Sequence, residues 1–316
     1  METLPSLKID REVVLADPLE QFLTGQLSEN TRRAYKTDLL KFFAFLNLDK
    51  ITIHDLRGIT FQHIVGFRNQ LALEGYKRTS INRKLSSLKA LFRMLVAAGH
   101  LEKNPADSTL VRGYKIDDGL NGKAIATQAL KKIQQAIADE KDKLRQSRDM
   151  AIFQLLTFGG LRRSEVSKMC WHDIREDGVF HILNLPDTKS GVDQDIKLQS
   201  VVIHYLNEYR NNLEERGYQA EGPIFISLAR NRSHGNQLSD QSINLIVKKY
   251  ALKAGLPLNI TAHMFRHTCC TLAIEGGAKP QQVQAHLRHK DLKTTMRYYE
   301  NREKLTDNAS DYINVG

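Results

Sequence analysis

Cysteine is scarce in this chain of 316 residues: there are three, Cys170, Cys269 and Cys270. The number is odd and two are neighbours, so no disulfide framework is written into the sequence and a reducing compartment fits. Long hydrophobic runs are missing too. The most apolar stretch, Met150 to Leu161, carries Gln154 and is too short to span a bilayer. Met1 is followed by Glu2 and a mixed polar stretch rather than an apolar core of a signal peptide, so the expected location is the cytoplasm. Neither a P-loop nor a dinucleotide-binding glycine fingerprint occurs, and nucleotide dependence is not expected. There is no internal repeat or low-complexity segment.

What is present is an ordinary globular composition, 41% hydrophobic and 26% charged, in a length that suggests two domains. The net charge is +10. An excess of that size points to a polyanionic partner, nucleic acid before membrane.

The first hundred residues read as a compact unit of four helices. A short one is expected near Pro18 to Gly25. Ser28 suits the cap of a second running to about Leu46, with Tyr35, Leu39, Phe42, Phe43 and Leu46 at helical spacing. Thr60 suits the cap of a third with Ile64, Phe67 and Leu71 inward and Gly75 at its stop. Thr79 opens a fourth with Ile81, Leu85, Leu88, Phe92 and Leu95, closed by Gly99 before Asn104-Pro105. Residues 1–105 hold 16 Lys and Arg against 11 Asp and Glu, a net of +5. Arg32, Arg33 and Lys36 lie off the apolar stripe of one helix, and Asn82, Arg83, Lys84, Lys89 and Arg93 off that of another. A solvated face is the common fate of such groups, but two in one small unit favour phosphate contact. Expected boundaries are 14–105 for this unit, 106–122 for a polar, glycine-bearing linker and 123–300 for a second domain, with a tail over 301–316.

The second domain reads as helical with one strand-rich interlude. Helices are expected over Thr127–Asp139, Met150–Phe158, Ser239–Ala254, His263–Glu275, Pro280–Leu287 and Leu292–Glu300. Val179–Leu183 and Asp195–Leu198 flank the turn-rich Asp187-Thr188-Lys189-Ser190-Gly191, a β-hairpin with Lys189 near its tip.

The chemistry is concentrated in this half. Gly160-Leu161-Arg162-Arg163-Ser164-Glu165 is followed by His263-Met264-Phe265-Arg266-His267, by His289, and by Thr294-Thr295-Met296-Arg297-Tyr298. Cleaving a phosphodiester by transesterification needs an in-line nucleophile, cations on the non-bridging oxygens and an acid for the leaving oxygen. Arginine suits the second task, because its planar fork gives two parallel hydrogen bonds to phosphate and keeps its charge. A tyrosine suits the first where nearby charge favours the phenolate, since its free pKa is about 10. His263 and Arg266, three residues apart on a helix, are expected on one face. Each residue taken alone has an ordinary explanation as a surface ion pair, a cap or a packed ring. Zinc binding by His263 and His267 with Cys269, Cys270, His286 and His289 is disfavoured, because no glutamate stands between the two histidines as in a metalloprotease; no metal is expected.

Together, in this order and spacing, these residues resemble the tyrosine recombinase (phage integrase) family, and Arg32-Arg33-Ala34-Tyr35 with Asn82-Arg83-Lys84-Leu85 resembles its N-terminal core-binding domain. The resemblance implies a mainly α protein: a SAM-like four-helix DNA-binding domain and an α+β catalytic domain with a small hairpin sheet. It implies that Arg162 and Arg266 clamp the scissile phosphate, that Glu165 buttresses the first arginine, and that Lys189 is the general acid. His263 and His289 assist, and Tyr298 is the nucleophile. No cofactor, metal or ATP is implied. The partners implied are duplex DNA sites, further copies assembled as a tetramer on two sites, and accessory DNA-bending or partner recombinase proteins, with no membrane. With fifteen to twenty residues before the first helix, the plan is closer to Xer-like recombinases than to large phage integrases. A type IB topoisomerase and a non-catalytic DNA-binding protein are the alternatives. Two features depart from the pattern. Leu287-Arg288-His289 has arginine where glycine is usual, which strains Arg288 if the site needs positive φ. Tyr299 follows Tyr298, but helix geometry turns the two by roughly 100°.

Overall fold

The computed structural model describes residues 18–26, 28–48, 51–116, 124–185, 194–229 and 232–306, with positions 311 and 313. The chain divides into two compact units, residues 1–118 and 119–316.

In the first unit, α1 (Pro18–Thr24), α2 (Glu29–Phe45), α4 (Phe61–Leu73) and α5 (Arg78–Ala97) surround a core of Leu23, Leu39, Phe42, Phe67, Leu88 and Phe92, among others. Ser28 stands at the N-cap of α2 in extended backbone, without a side-chain capping bond. Helix α5 begins at Arg78, one residue before the expected opening at Thr79. Gly75 and Gly99, at φ 77° and 74°, end α4 and α5 by the left-handed stop that glycine accepts without steric cost.

A fifth, short helix, α3 (Ile53–Arg57), joins these four. Its start is a reciprocal capping box: Asp55 N–H donates to Thr52 Oγ1 and Thr52 N–H to the Asp55 carboxylate at 2.9 Å. The polar stretch after Pro105 does not leave the unit at once. Ala106 and Val111 are buried in its core, and Asn82 holds both backbone groups of Tyr114 at 2.8 Å.

Asp38 is the charged centre of this unit. It is 1% exposed and accepts from Lys84 Nζ at 2.8 Å, from Ser87 Oγ at 2.9 Å and from Arg83. Lys84 therefore does not belong to the solvated basic face expected from its place off the apolar stripe. Asp38 on the facing helix draws it inward, because a buried carboxylate needs a paired cation.

The second unit is built around α7 (Lys143–Phe158), whose residues Ser147–Thr157 are all buried, as befits a helix covered on every side. It begins seven residues before the expected Met150, with Asp142 accepting from Arg145 N–H at 3.2 Å. Around it pack α6 (Thr127–Ala138), α8 (Arg163–Lys168), α9 (Ser200–Glu215), α10 (Asp240–Lys253) and α11 (Ala262–Glu275). Helix α9 escaped the sequence reading, although Val202, Leu206, Tyr209 and Leu213 carry its inward stripe. Helices α12 (Pro280–Leu287) and α13 (Leu292–Thr306) close a smaller cluster against α11.

Among the described residues the sheet has three antiparallel strands, β1 (Ile174–Asp177), β2 (Phe180–Leu185) and β3 (Gln194–Leu198), in that order. The β2–β3 pair is the expected hairpin, in register Leu183↔Ile196. Strand β1 is additional: Gly178, at φ 58°, makes a two-residue turn that pairs Asp177 with Phe180. Lys189 lies outside the described residues.

The Asp38 cluster yields a stability prediction. Asp38→Ala leaves the Lys84 ammonium buried without a counter-charge, and should cost about 3 kcal/mol, read as a lower urea midpoint of the full chain. An unchanged midpoint would show that Lys84 escapes to solvent.

Candidate active site

Four elements of the second unit supply the site. Helix α7 ends at Gly159, and Gly160 follows at φ 55°. A Cβ at Gly160 would come within 2.4 Å of Leu287 Cδ2 and 3.1 Å of Cys269 Sγ, so only glycine fits without displacing its neighbours. This close passage sets Arg162 at the N-cap of α8.

Glu165, one turn on, organises the cations. Its Oε1 accepts from Arg162 Nη1 at 2.6 Å. Its Oε2 accepts from the Arg162 backbone N–H at 2.7 Å and from Arg288 Nη2 at 2.6 Å. The carboxylate is thus a helix cap and a bridge between two guanidinium groups.

Arg266 enters from α11. It is buried, donating through Nη1 to Gly160 O at 2.8 Å and through Nη2 to Leu287 O. Burial, then Arg162 and Arg288, push its pKa down to about 10, which leaves it cationic at neutral pH. Those two carbonyls tie the arginine to the loop before α8 and to the end of α12.

Arg288 sits at the C-terminus of α12 with φ 55° and ψ 48°. The strain expected of a non-glycine residue there is present, roughly 1 kcal/mol. Its side chain is 3% exposed, and its Nε and Nη1 are buried without a hydrogen-bond partner among the described residues.

His289 follows, with Nδ1 2.9 Å from Thr295 Oγ1 at the start of α13. Burial, then Arg266 and Arg162, push its pKa down to about 4, so its ring is neutral at neutral pH. His263 is exposed and packs edge-on against His267, with centroids 4.6 Å apart; it does not share the buried position of Arg266.

Tyr298 lies in the small apolar cluster with Cys269, Cys270, Ile274, Val283 and Leu287. Its hydroxyl is hydrogen-bonded to His267 Nδ1. Burial raises its pKa above the ordinary phenol value, the Cys270 thiol adds to this, and Arg266 opposes it. Tyr299 packs, partly buried, against the edge of the same cluster, and its hydroxyl is buried without a hydrogen-bond partner among the described residues. Burial also pushes the Cys269 and Cys270 thiols up to about 11 and about 12, which leaves them protonated and unreactive.

Arg162, Glu165, Arg266, His289 and Tyr298 therefore converge, with His263 at the margin through His267. Two participants were not anticipated. His267 carried a signal in being adjacent to Arg266, and Arg288 in occupying a glycine position; neither contact could be read from spacing. Among the described residues, the one group able to hold a metal is Cys170, His172 and Asp173. It lies outside this cluster, and Asp173 already accepts from the Cys170 N–H at 2.7 Å.

The expected DNA-contacting residues of the first unit all have partners within it. Arg32 donates to Leu23 O and Gln26 O, Arg33 pairs with Glu29, Lys36 with Glu20, Arg83 with Asp38, and Lys89 donates to Ser108. Arg33 and Lys36 are more than half exposed, so their ion pairs exchange readily for phosphate. Asn82 has its amide committed to Tyr114.

Guanidinium groups gathered at one carboxylate, with a tyrosine in the adjoining apolar cluster, fit a class of protein that performs covalent phosphoryl transfer. Comparison with known proteins gives the class its family. The phage integrase family matches residues 123–304, and the phage integrase N-terminal SAM-like domain matches residues 19–99. The chain belongs to the phage integrase family, the tyrosine-type DNA strand transferases. It is 29% identical to tyrosine recombinase XerC of Thermodesulfovibrio yellowstonii over 273 residues, covering 86% of this chain and 85% of that protein. It is 28% identical to tyrosine recombinase XerA of Pyrococcus horikoshii, covering 92% of each. The fold is similar to that of a lambda integrase (75–356) dimer bound to a COC′ core site (TM-score 0.68, 20% identity, 95% of this chain and 98% of that one). It is likewise similar to XerH recombinase in a post-cleavage complex with palindromic difH (TM-score 0.68, 18% identity, 89% and 80%). No helix among the described residues is long and apolar enough to cross a membrane.

The neutral His289 gives a prediction with a definite sign. A histidine whose folded pKa lies below its unfolded value of about 6.5 keeps its full stabilisation above that pH and loses it as pH falls towards about 4. In ¹⁵N-resolved NMR of the free protein, the His289 ring should titrate near pH 4. A midpoint above 6 would place the ring outside the arginine cluster.

Proposed function

We propose that this protein is a site-specific recombinase that cuts and rejoins duplex DNA through a 3′-phosphotyrosine, with Tyr298 as nucleophile. The observation that carries the reading is that Arg162, Arg266 and His289 lie together beside an already engaged carboxylate, Glu165, with Tyr298 in the adjoining cluster of α11, α12 and α13.

The chemistry follows from the positions. The scissile phosphate accepts hydrogen bonds from Arg162 and Arg266, which stabilise the charge that develops on its non-bridging oxygens. His289, neutral before DNA arrives, gains a proton-stabilising partner when the anion enters, and assists as a donor. Tyr298 Oη gives its proton to a neighbouring base, for which its hydrogen-bond partner His267 is placed, and attacks phosphorus in line. The bond to the 5′-oxygen breaks, and that oxygen takes a proton, a role the family resemblance gives to Lys189. Attack by a 5′-hydroxyl of the partner strand reverses each step and releases the tyrosine. The energy of the broken bond is kept in the ester, so the reaction needs neither ATP nor metal.

In the free protein the Tyr298 hydroxyl is buried and bound to His267, a resting position. Attack therefore requires that DNA binding bring α13 and the phosphate into register. The basic first unit, with Arg32, Arg33, Lys36, Arg83 and Lys89, supplies duplex contacts, and four copies on two sites perform the exchange. Accessory DNA-bending or partner recombinase proteins belong to the same proposal, as does action in the cytoplasm. Of the expected boundaries, 123–300 for catalysis and 301–316 for the tail stand as part of it, whereas the unit expected over 14–105 continues through Tyr114 and shortens the linker expected over 106–122.

The test is a nicked suicide substrate. Wild-type protein should form a covalent adduct in the presence of EDTA and without nucleotide. Tyr298→Phe removes only the hydroxyl, so it should bind DNA and form no adduct, whereas Tyr299→Phe should retain it. An adduct from Tyr298→Phe, lost instead in Tyr299→Phe, would move the nucleophile by one residue. Abolition by EDTA would contradict the metal-free chemistry.

A further inference from the structure

Arg288 is a costly residue in its place. Its backbone is left-handed, its side chain is 3% exposed, and two of its nitrogens are buried without a partner among the described residues. Burial and the neighbouring Arg162 guanidinium disfavour its charge, against the attraction of Glu165. Glycine would remove all of these costs. Retention of arginine therefore calls for a function, and the hydrogen bonds indicate which.

A carboxylate facing an arginine tends to close on it in a two-pronged pair, which occupies both prongs of the guanidinium fork. Glu165 does not do this. Its Oε1 takes one hydrogen bond from Arg162 Nη1 at 2.6 Å. Its Oε2 is filled by Arg288 Nη2 at 2.6 Å and the Arg162 backbone N–H at 2.7 Å. The same turn is held from its other side, where Leu287 O accepts from Arg266. It is held internally as well, where Gln284 Nε2 donates to His289 O at 3.2 Å.

We propose that Arg288 is a positioning residue: by occupying the second oxygen of Glu165, it keeps the rest of the Arg162 fork open for the scissile phosphate, and it locks the turn that carries His289. This rests on the recombinase reading. Arg288 acts through Glu165 and the turn, and contact with the phosphate is not required. Its effect should therefore appear in the cleavage step rather than in DNA affinity.

The experiment compares full-length wild-type protein with Arg288→Gly, Arg288→Lys, Glu165→Gln and the Arg288→Gly/Glu165→Gln double variant. It measures thermal melting without DNA, half-site affinity, and single-turnover cleavage of a suicide substrate at saturating protein. Arg288→Gly should melt no lower than wild type and bind DNA within about twofold. It should cleave roughly 10- to 100-fold more slowly, the scale of a mispositioned catalytic group. Arg288→Lys should recover part of the rate, since an ammonium still reaches one oxygen. The double variant should be no slower than Arg288→Gly alone, because the closing carboxylate is weakened. A wild-type cleavage rate in Arg288→Gly would overturn the proposal, and so would a rate loss matched by a loss of melting temperature. The melting cycle over Glu165 and Arg288 separates the two levels of inference. Additive melting effects would overturn the Arg288 role, whereas wild-type protein that forms no adduct would overturn the recombinase reading beneath it.

Discussion

The Glu165 carboxylate is the constraint on which the site depends. Two guanidinium groups, Arg162 and Arg288, meet at its two oxygens, and a third, Arg266, lies close enough for both to oppose its charge. Cations held this close repel, and the two buried ones, Arg266 and Arg288, each need a counter-charge or a fixed acceptor. One carboxylate and two backbone carbonyls, Gly160 O and Leu287 O, hold all three. Because Glu165 also caps α8 through the Arg162 N–H, the electrostatics of the site and the start of a helix are one feature.

That arrangement leaves a cluster with three guanidinium groups and, among the described residues, one carboxylate bridging them. Such an excess of cations favours an anion such as a phosphate diester. The tyrosine is prepared in the opposite way. Its apolar neighbours, two of them protonated thiols, keep the phenol neutral, with Arg266 as the counterweight. In the proposed reaction, a tyrosine kept neutral in this way is guarded against reaction with water or with the wrong phosphate until DNA is bound. The same small cluster, shared by α11, α12 and α13, lets any shift of the Arg288 turn reach Tyr298.

Much of this was legible in the sequence because the local signals were strong. Pro280 at the first turn of α12 and Ser239 at the cap of α10, with Gly255 behind it, placed those helices within a residue or two. Other elements had signals that were passed over. The Thr52–Asp55 capping box marks α3, and the Asp177-Gly178 turn marks β1. In α9 the run Val201-Val202-Ile203 looks strand-like beside two strands, and only the longer spacing to Tyr209 and Leu213 declares a helix. Residue identity and order were enough to put Arg162, Arg266, His289 and Tyr298 forward as candidates. They were not enough for the partners: Glu165 and Arg288 are 123 residues apart, and Lys84 turns inward because of Asp38 on another helix. Such choices are made by the packed structure, where a buried charge goes to whichever counter-charge the fold brings near.

The central claim is that the Tyr298 hydroxyl, in the apolar cluster beside the arginines, becomes the covalent link to DNA. Trapping wild-type protein on a suicide substrate, digesting the complex with trypsin and sequencing the DNA-linked peptide by mass spectrometry tests it directly. The account predicts that the peptide beginning after Arg297 carries the nucleotide on its first residue, Tyr298, through a 3′-phosphate. A nucleotide on Tyr299, on any other residue, or attached through a 5′-phosphate would contradict it.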